Sequence, residues 1–203
     1  MLSQNYSSKQ NYKEFWKNIN LIPSKKEDKQ LPWLIDTLKR ELDINKIETV
    51  LEVGVGYGRV AKAILDTFPN IDYYFGIDIS NDAIEQSRDY VGYTHLYDGE
   101  PTESFHSHTC DFEDSAFGEI YDLVISVETM STIPENISVQ PWIDKMISLS
   151  KKYVVNLDYV NTTHPIFNNA HDYRKHYTHA GELHYWKDVP NNPDMKLFLC
   201  RVK

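Results

Sequence analysis

Three carboxylates and three glycines stand where strands are expected to end, and their spacing limits the chemistry open to this chain. Glu52 lies in "TVLEVGVGYGRVAKAIL" (Thr49–Leu65), two residues before the run Gly54, Gly56, Gly58; Asp78 closes "YYFGID"; Asp111 opens "DFED". Glycine tolerates positive φ and lets a ligand approach the backbone closely. The helix N-terminus behind such a turn favours a negative group. A dinucleotide fingerprint, G-x-G-x-x-G, needs its third glycine for helix–strand packing; counted from Gly54, that place is Arg59. The pattern is instead E-x-G-x-G-x-G. A buried carboxylate would repel a phosphate, so Glu52 argues against pyrophosphate and suits a ligand with a positive end. Asp78, an acid about 20 residues past the glycines at a strand end, is placed for ribose hydroxyls.

The elements that must position these residues are legible from periodicity. Val50, Leu51, Val53 and Val55 form a short apolar run expected of a strand buried on both faces. Val60, Ala61, Ile64, Leu65 and Phe68 then recur at helical spacing, before Pro69. Upstream, "LPWLIDTLKREL" puts Leu31, Leu34, Ile35, Leu38 and Leu42 on one helical face, with Pro32 suited to a first turn. Downstream, strands are expected at Tyr73–Ser80, Phe105–Thr109, Tyr121–Val127 and Tyr153–Val160. A helix over "VQPWIDKMISLSK" would turn Trp142, Ile143, Met146, Ile147 and Leu149 inward. The polar segment Asn161–Gly181 has room for a helix, and "ELHYWKDV" and "KLFLCRV" read as a hairpin across "PNNPD". This alternation predicts an α/β fold: a doubly wound, mostly parallel sheet with helices on both faces and an antiparallel C-terminal hairpin strand.

The glycine triplet, Glu52 and Asp78 together resemble motif I and the second-strand acid of class I S-adenosylmethionine-dependent methyltransferases. The resemblance implies that the loop Gly54–Gly58 lies under the methionine part of the cofactor S-adenosyl-L-methionine. Asp78, with Ile79 beside it, would hold the ribose. Asp111 would accept from the adenine amino group, with Phe112 packed on the ring. "SVETMS" follows the fourth strand, where the family presents its cofactor–substrate floor. Glu128 there would contact the substrate or the cofactor's methionine end, or cap the next segment. The N/D-P-P-Y-like motif of DNA amine methyltransferases is absent. The resemblance covers roughly residues 30 to 203, so 31–203 is read as one Rossmann-like methyltransferase domain. Residues 1–30 form an N-terminal segment whose Tyr12 and Trp16 belong to a lid over the cofactor or to a helix packed by its aromatic side.

Composition narrows the partners. A net charge of -9 over 203 residues, with no basic run beyond the Lys25–Lys26 and Lys151–Lys152 pairs, argues against nucleic acid. No apolar stretch approaches the ~20 residues of a membrane span, and the N-terminus lacks the apolar core of a signal peptide, so the expected location is cytoplasmic. Cys110 and Cys200 are far apart and have no metal spacing. Five of the eight histidines follow residue 160: His164, His171, His176, His179 and His184. At ~100° per residue, His171, His176 and His179 fall at roughly 0°, 140° and 80° around a helix, too spread for one ligand face, and no metal is expected. An acid–base role suits the segment better, with His171 as the base, oriented by Asp172 or Asp158.

The expected function is methyl transfer to a small polar metabolite, such as a sugar, nucleotide-sugar or other biosynthetic intermediate, with O-methylation favoured. N-methylation of a small amine and a non-catalytic S-adenosylmethionine-binding module are the alternatives. An oxidoreductase on a related fold is disfavoured by Arg59. Nothing in the sequence indicates an oligomeric state.

Overall fold

The computed structural model describes residues 9–18, 30–92, 94–97, 100–160, 171–180 and 182–202. At 9–10, 94–97, 100–103, 178–180 and 182–185 only the backbone is described. In chain order the elements are α1 (Lys9–Lys17), α2 (Gln30–Glu41), β1 (Thr49–Val53), α3 (Arg59–Leu65), β2 (Tyr73–Asp78), α4 (Asn81–Val91), β3 (Thr94–Tyr97), β4 (Glu100–Glu103), β5 (Phe105–Thr109), β6 (Tyr121–Val127), α5 (Gln140–Ser148), β7 (Ser150–Tyr159), α6 (Tyr173–Ala180), β8 (Glu182–Val189) and β9 (Asn192–Arg201).

A seven-stranded sheet has the order β5-β2-β1-β6-β7-β9-β8. β5, β2, β1, β6 and β7 are mutually parallel, β9 runs antiparallel to β7, and β8 pairs antiparallel with β9. The expected architecture is therefore present. Two apolar layers cover the sheet. One joins α2, α3 and α4 to Val50, Leu123, Val155 and Leu197. The other joins Tyr12 of α1, Ile143 and Met146 of α5, and Tyr173 and Tyr177 of α6 to Leu51, Val53, Val124 and Phe198. Alternate residues of each strand serve opposite faces, which is why β6 is buried along its whole length.

Three details depart from the sequence reading. The stretch before β5 holds an antiparallel hairpin, β3–β4, outside the main sheet. The final hairpin turns at Pro190–Asn191, with Val189 opposite Asn192, not across all of "PNNPD". Asn191 takes a left-handed φ of 62°, which asparagine tolerates, so β9 starts early and reaches both neighbours. On α5, Ile143 and Met146 are buried as expected, but Trp142 is only half-buried and turns toward the cavity described below. No described helix is long and apolar enough to cross a membrane.

Candidate functional site

The carboxyl ends of β5, β2, β1 and β6 open on a cavity of about 260 Å³, the location expected for ligands of an open α/β sheet. The turn after β1 forms its floor. Gly54 N–H and Val55 N–H donate to the Ile77 carbonyl at 2.8 and 2.9 Å, which docks the turn on the end of β2. Gly54, Gly56 and Gly58 have φ of 79°, 53° and 91°. Their tasks differ. A Cβ on Gly54 would lie 2.1 Å from Thr129 Oγ1, and one on Gly58 2.7 Å from Val91 Cγ2 of α4. A Cβ on Gly56 would meet nothing within 4 Å. Gly56 therefore opens on the cavity, Gly54 makes room for Thr129, and Gly58 lets α3 approach α4. Gly58, expected at the ligand, is buried and absent from the cavity wall.

Asp78 sits between the turn and α4. Its Oδ2 accepts from Gly56 N–H and its Oδ1 from Ser80 N–H, both at 3.0 Å. Burial raises its pKa above the ordinary carboxylate value, against the pull of those N–H groups. Ile79 lines the cavity beside it. Glu52 also reaches the wall, but it is 1% exposed and accepts from the Tyr74 hydroxyl at 2.6 Å. Burial pushes its pKa up to about 8, so in the free protein it is largely protonated at pH 7. The sequence reading of Glu52 as a charged partner for a positive ligand needs this correction: Glu52 carries full charge only above pH 8, or when a ligand lowers its pKa.

At the β5 side stand Asp111, Phe112 and Trp142. Phe112 meets Trp142 edge-on at 5.3 Å between centroids and Phe117 at 5.7 Å. Lys145 lies 4.9 Å over the Phe112 ring and donates to the carbonyls of Phe112, Glu113 (3.2 Å) and Ser115 (2.5 Å), which pins the turn after β5. Helix α1 supplies the outer wall through Tyr12, Lys13 and Trp16. The Tyr12 hydroxyl is 3.2 Å from Thr132 Oγ1. Thr132 gives its one proton to the Thr129 carbonyl at 2.6 Å, so Tyr12 is the donor.

At the β6 side, Glu128 has a φ of 56°, a left-handed backbone that costs a non-glycine residue energy and is typical of functional sites. Its Oε2 lies 2.8 Å from Arg59 Nη2. Sequence reasoning placed Glu128 here but missed Arg59, Tyr57, Thr132, Lys13 and Trp142. A usable signal existed for Arg59. It is the first residue of α3, where the helix dipole disfavours a cation, so an acidic partner was required.

His171 does not reach the cavity. It is 8% exposed, its Nε2 lies 2.9 Å from the Ile133 carbonyl, and its ring packs edge-on against Tyr173. Burial lowers its pKa below the ordinary imidazole value. The expected base is thus a packed side chain, because Tyr173 and Tyr177, four residues apart, lay α6 onto the sheet and draw His171 inward. Neither expected orienting acid serves it. Asp172 accepts from Lys175 N–H (3.2 Å), and Asp158 accepts from Met130 N–H (2.8 Å) and Ser131 N–H (3.2 Å). His176 pairs with Gln140 at 2.6 Å. His164 lies outside the described residues, and of His179 and His184 only the backbone is described.

The parts of the cavity match S-adenosylmethionine in chemistry: aromatic edges and a carboxylate for an aminopurine, a two-oxygen acid for a diol, and open backbone at Gly56. Comparisons with known proteins bear on the fold and the domain. Residues 51–151 match the family described as "Methyltransferase domain". No curated protein matches the chain by sequence. The N-methyltransferase NodS from Bradyrhizobium japonicum WM9, in complex with S-adenosyl-L-homocysteine, superposes with a TM-score of 0.69 at 14% identity over 95% of this chain and 97% of that one. Magnesium protoporphyrin IX methyltransferase (ChlM) from Synechocystis PCC 6803 with bound S-adenosylmethionine gives 0.65 at 15% identity over 85% and 78%. The O-methyltransferase region of StiE gives 0.64 at 16% identity over 85% and 74%. Residues 51–151, about half of the chain, form a methyltransferase domain, on a fold shared with methyltransferases crystallised with S-adenosylmethionine or S-adenosylhomocysteine.

Proposed function

We propose that this enzyme methylates a hydroxyl of a small polar acceptor, with Glu128 as the proton-accepting side chain. The observation that carries this reading is the placement of Glu128: a carboxylate in the cavity wall, on strained backbone at the carboxyl end of β6, with one oxygen held by Arg59. In this reading Asp111, Phe112 and Trp142 take the adenine, and Asp78 and Ile79 take the ribose. The turn at Gly54 and Gly56, with Glu52 behind it, takes the methionine part. When bound, the cofactor supplies an electrophilic methyl group on a sulfonium. Tyr12 and Trp16 in the outer wall keep water from it and restrict the angle of approach. This makes α1 a lid. A hydroxyl that attacks without losing its proton builds positive charge on oxygen, so a carboxylate that removes the proton contributes. A small acceptor, such as a sugar or another biosynthetic intermediate, suits a cavity of this size.

The test is turnover on a panel of hydroxylated and amine metabolites, with S-adenosylhomocysteine as the readout. For a hydroxyl acceptor, Glu128→Gln lowers kcat by ~10²–10⁴. For an amine acceptor, which is neutral before attack, the same substitution acts mainly on KM, and N-methylation takes the place of O-methylation. Calorimetric binding of S-adenosylmethionine with no turnover on any acceptor would favour a binding module.

A further inference from the structure

Of the three α1 side chains in the cavity wall, Lys13 alone is charged. Its Nζ lies 2.5 Å from Asp111 Oδ2, 2.7 Å from Asp114 Oδ2 and 3.6 Å from Glu113 Oε2, with 14% of the side chain exposed. Burial opposes the charge, yet the hydrogen bonds to Asp111 and Asp114 and the charges behind them outweigh it and hold the amine well above the usual lysine value. The acidic turn is itself fixed. Glu113 N–H donates to Asp111 Oδ1 at 3.0 Å, Ser115 N–H to the Asp111 carbonyl at 3.0 Å, and Lys145 gathers three carbonyls from below. Three carboxylates within four residues repel one another, and a cation among them removes that repulsion. The nine residues of α1 are too few to hold a helix in water unaided, so the helix depends on its docking contacts. Among these are Lys13 at one end of the cavity, the Tyr12–Thr132 hydrogen bond, the buried side of Tyr12 and the packing of Trp16 on the core.

Asp111 belongs both to this cup and to the cavity wall. Resting on the reading of the cavity as the cofactor site, we propose that Lys13 among Asp111, Glu113 and Asp114 is an ionic clamp that gates cofactor exchange: α1 must release these carboxylates before S-adenosylmethionine enters or S-adenosylhomocysteine leaves. Lys13 and the adenine amino group are donors to the same carboxylate. Asp114 and Glu113 give Lys13 a place to stay when Asp111 turns to the ligand, so the clamp remains closed over a bound cofactor. Asp114 is 70% exposed at its side chain, so salt weakens the clamp as the Debye length falls from ~10 Å at 0.1 M to ~3 Å at 1 M.

Two measurements on the full chain decide it. The first is stopped-flow dissociation of S-adenosylhomocysteine from the parent, Lys13→Met, and a Glu113→Gln/Asp114→Asn double variant, each at low and high salt. Both variants release the ligand at least roughly tenfold faster, the scale of a lost hydrogen bond between charged groups. The parent's rate rises with salt, and that of Lys13→Met does not. The second is hydrogen exchange of the α1 amides in the ligand-free protein, which speeds up in both variants and in the parent at high salt. Equal dissociation rates in parent and Lys13→Met overturn the gate, even if α1 loses protection, and a salt-independent parent overturns it too. If the parent binds no S-adenosylhomocysteine, the cofactor assignment of the cavity has failed, and α1 exchange unaffected by Lys13→Met then removes the clamp as well.

Discussion

The glycine turn after β1 and the stretch from His171 through α6 are both dense in residues that do chemistry, yet of their described residues only those of the turn face the cavity. The turn lies at the carboxyl end of a central parallel strand, where the fold leaves backbone uncovered, so Gly56 and Asp78 meet open space. The α6 segment lies against the face of the sheet. There the apolar bodies of Tyr173 and Tyr177 set its orientation, and His171 is drawn in beside them to cap the Ile133 carbonyl. Residue type suggested function in both places. Position relative to a strand end separated them.

The sharpest way to break this comparison is to fill the turn. Gly56→Val places a branched Cβ in the ligand space at a φ of 53° and removes measurable S-adenosylmethionine binding by calorimetry. Gly58→Val instead strikes Val91 and α4, and is read in thermal unfolding. Binding retained in Gly56→Val would make the turn a mere connector. Next in size, Asp78→Ala weakens S-adenosylmethionine by about 1.5–3 kcal/mol, the range for hydrogen bonds to a charged group. Unchanged affinity in the folded variant would remove Asp78 from the ribose.

On the other side of the comparison, His171→Ala destabilises the fold by about 1–3 kcal/mol, because the buried Ile133 carbonyl loses its partner. The pH profile of turnover stays that of the parent. A lost titration near neutral pH in the variant would return His171 to the chemistry and undo the distinction drawn above.

Per unit of pH, the smallest expected effect is the slope of stability. Glu52 titrates near 8 in the folded protein against an ordinary 4.5, so between these values the native state holds a proton that the unfolded state has lost. Stability from this group is full below about pH 4.5 and declines as pH rises to about 8, by at most about 1.4 kcal/mol per pH unit. Asp158, pushed by burial to about 7, adds a slope of the same sign above its ordinary 3.8. Glu52→Gln keeps an acceptor for Tyr74 and flattens the Glu52 part of the slope. Denaturant midpoints measured from pH 5 to 8 check it, and an unaltered slope would mean that Glu52 is ionised throughout.

The sequence by itself determined the sheet, its doubly wound connections and the central site residues. Apolar runs and helical spacing report burial locally, and an acid or glycine just past a strand end falls at the ligand crevice by construction. Gly54, Gly56, Asp78, Ile79, Asp111, Phe112 and Glu128 reach the cavity for that reason, and Glu52 reaches it from within the last residues of β1. Tyr12 and Trp16 of α1 reach it too, though only docking settled which way the helix faced. Tertiary structure alone decided the pairs that close the site: Arg59 with Glu128, Tyr12 with Thr132, and Lys13 with Asp114, partners 69, 120 and 101 positions apart. It also decided that His171 packs instead of titrating at the site. Contacts between residues so far apart leave no periodic trace in the chain, because they exist only once each helix has chosen a face of the sheet.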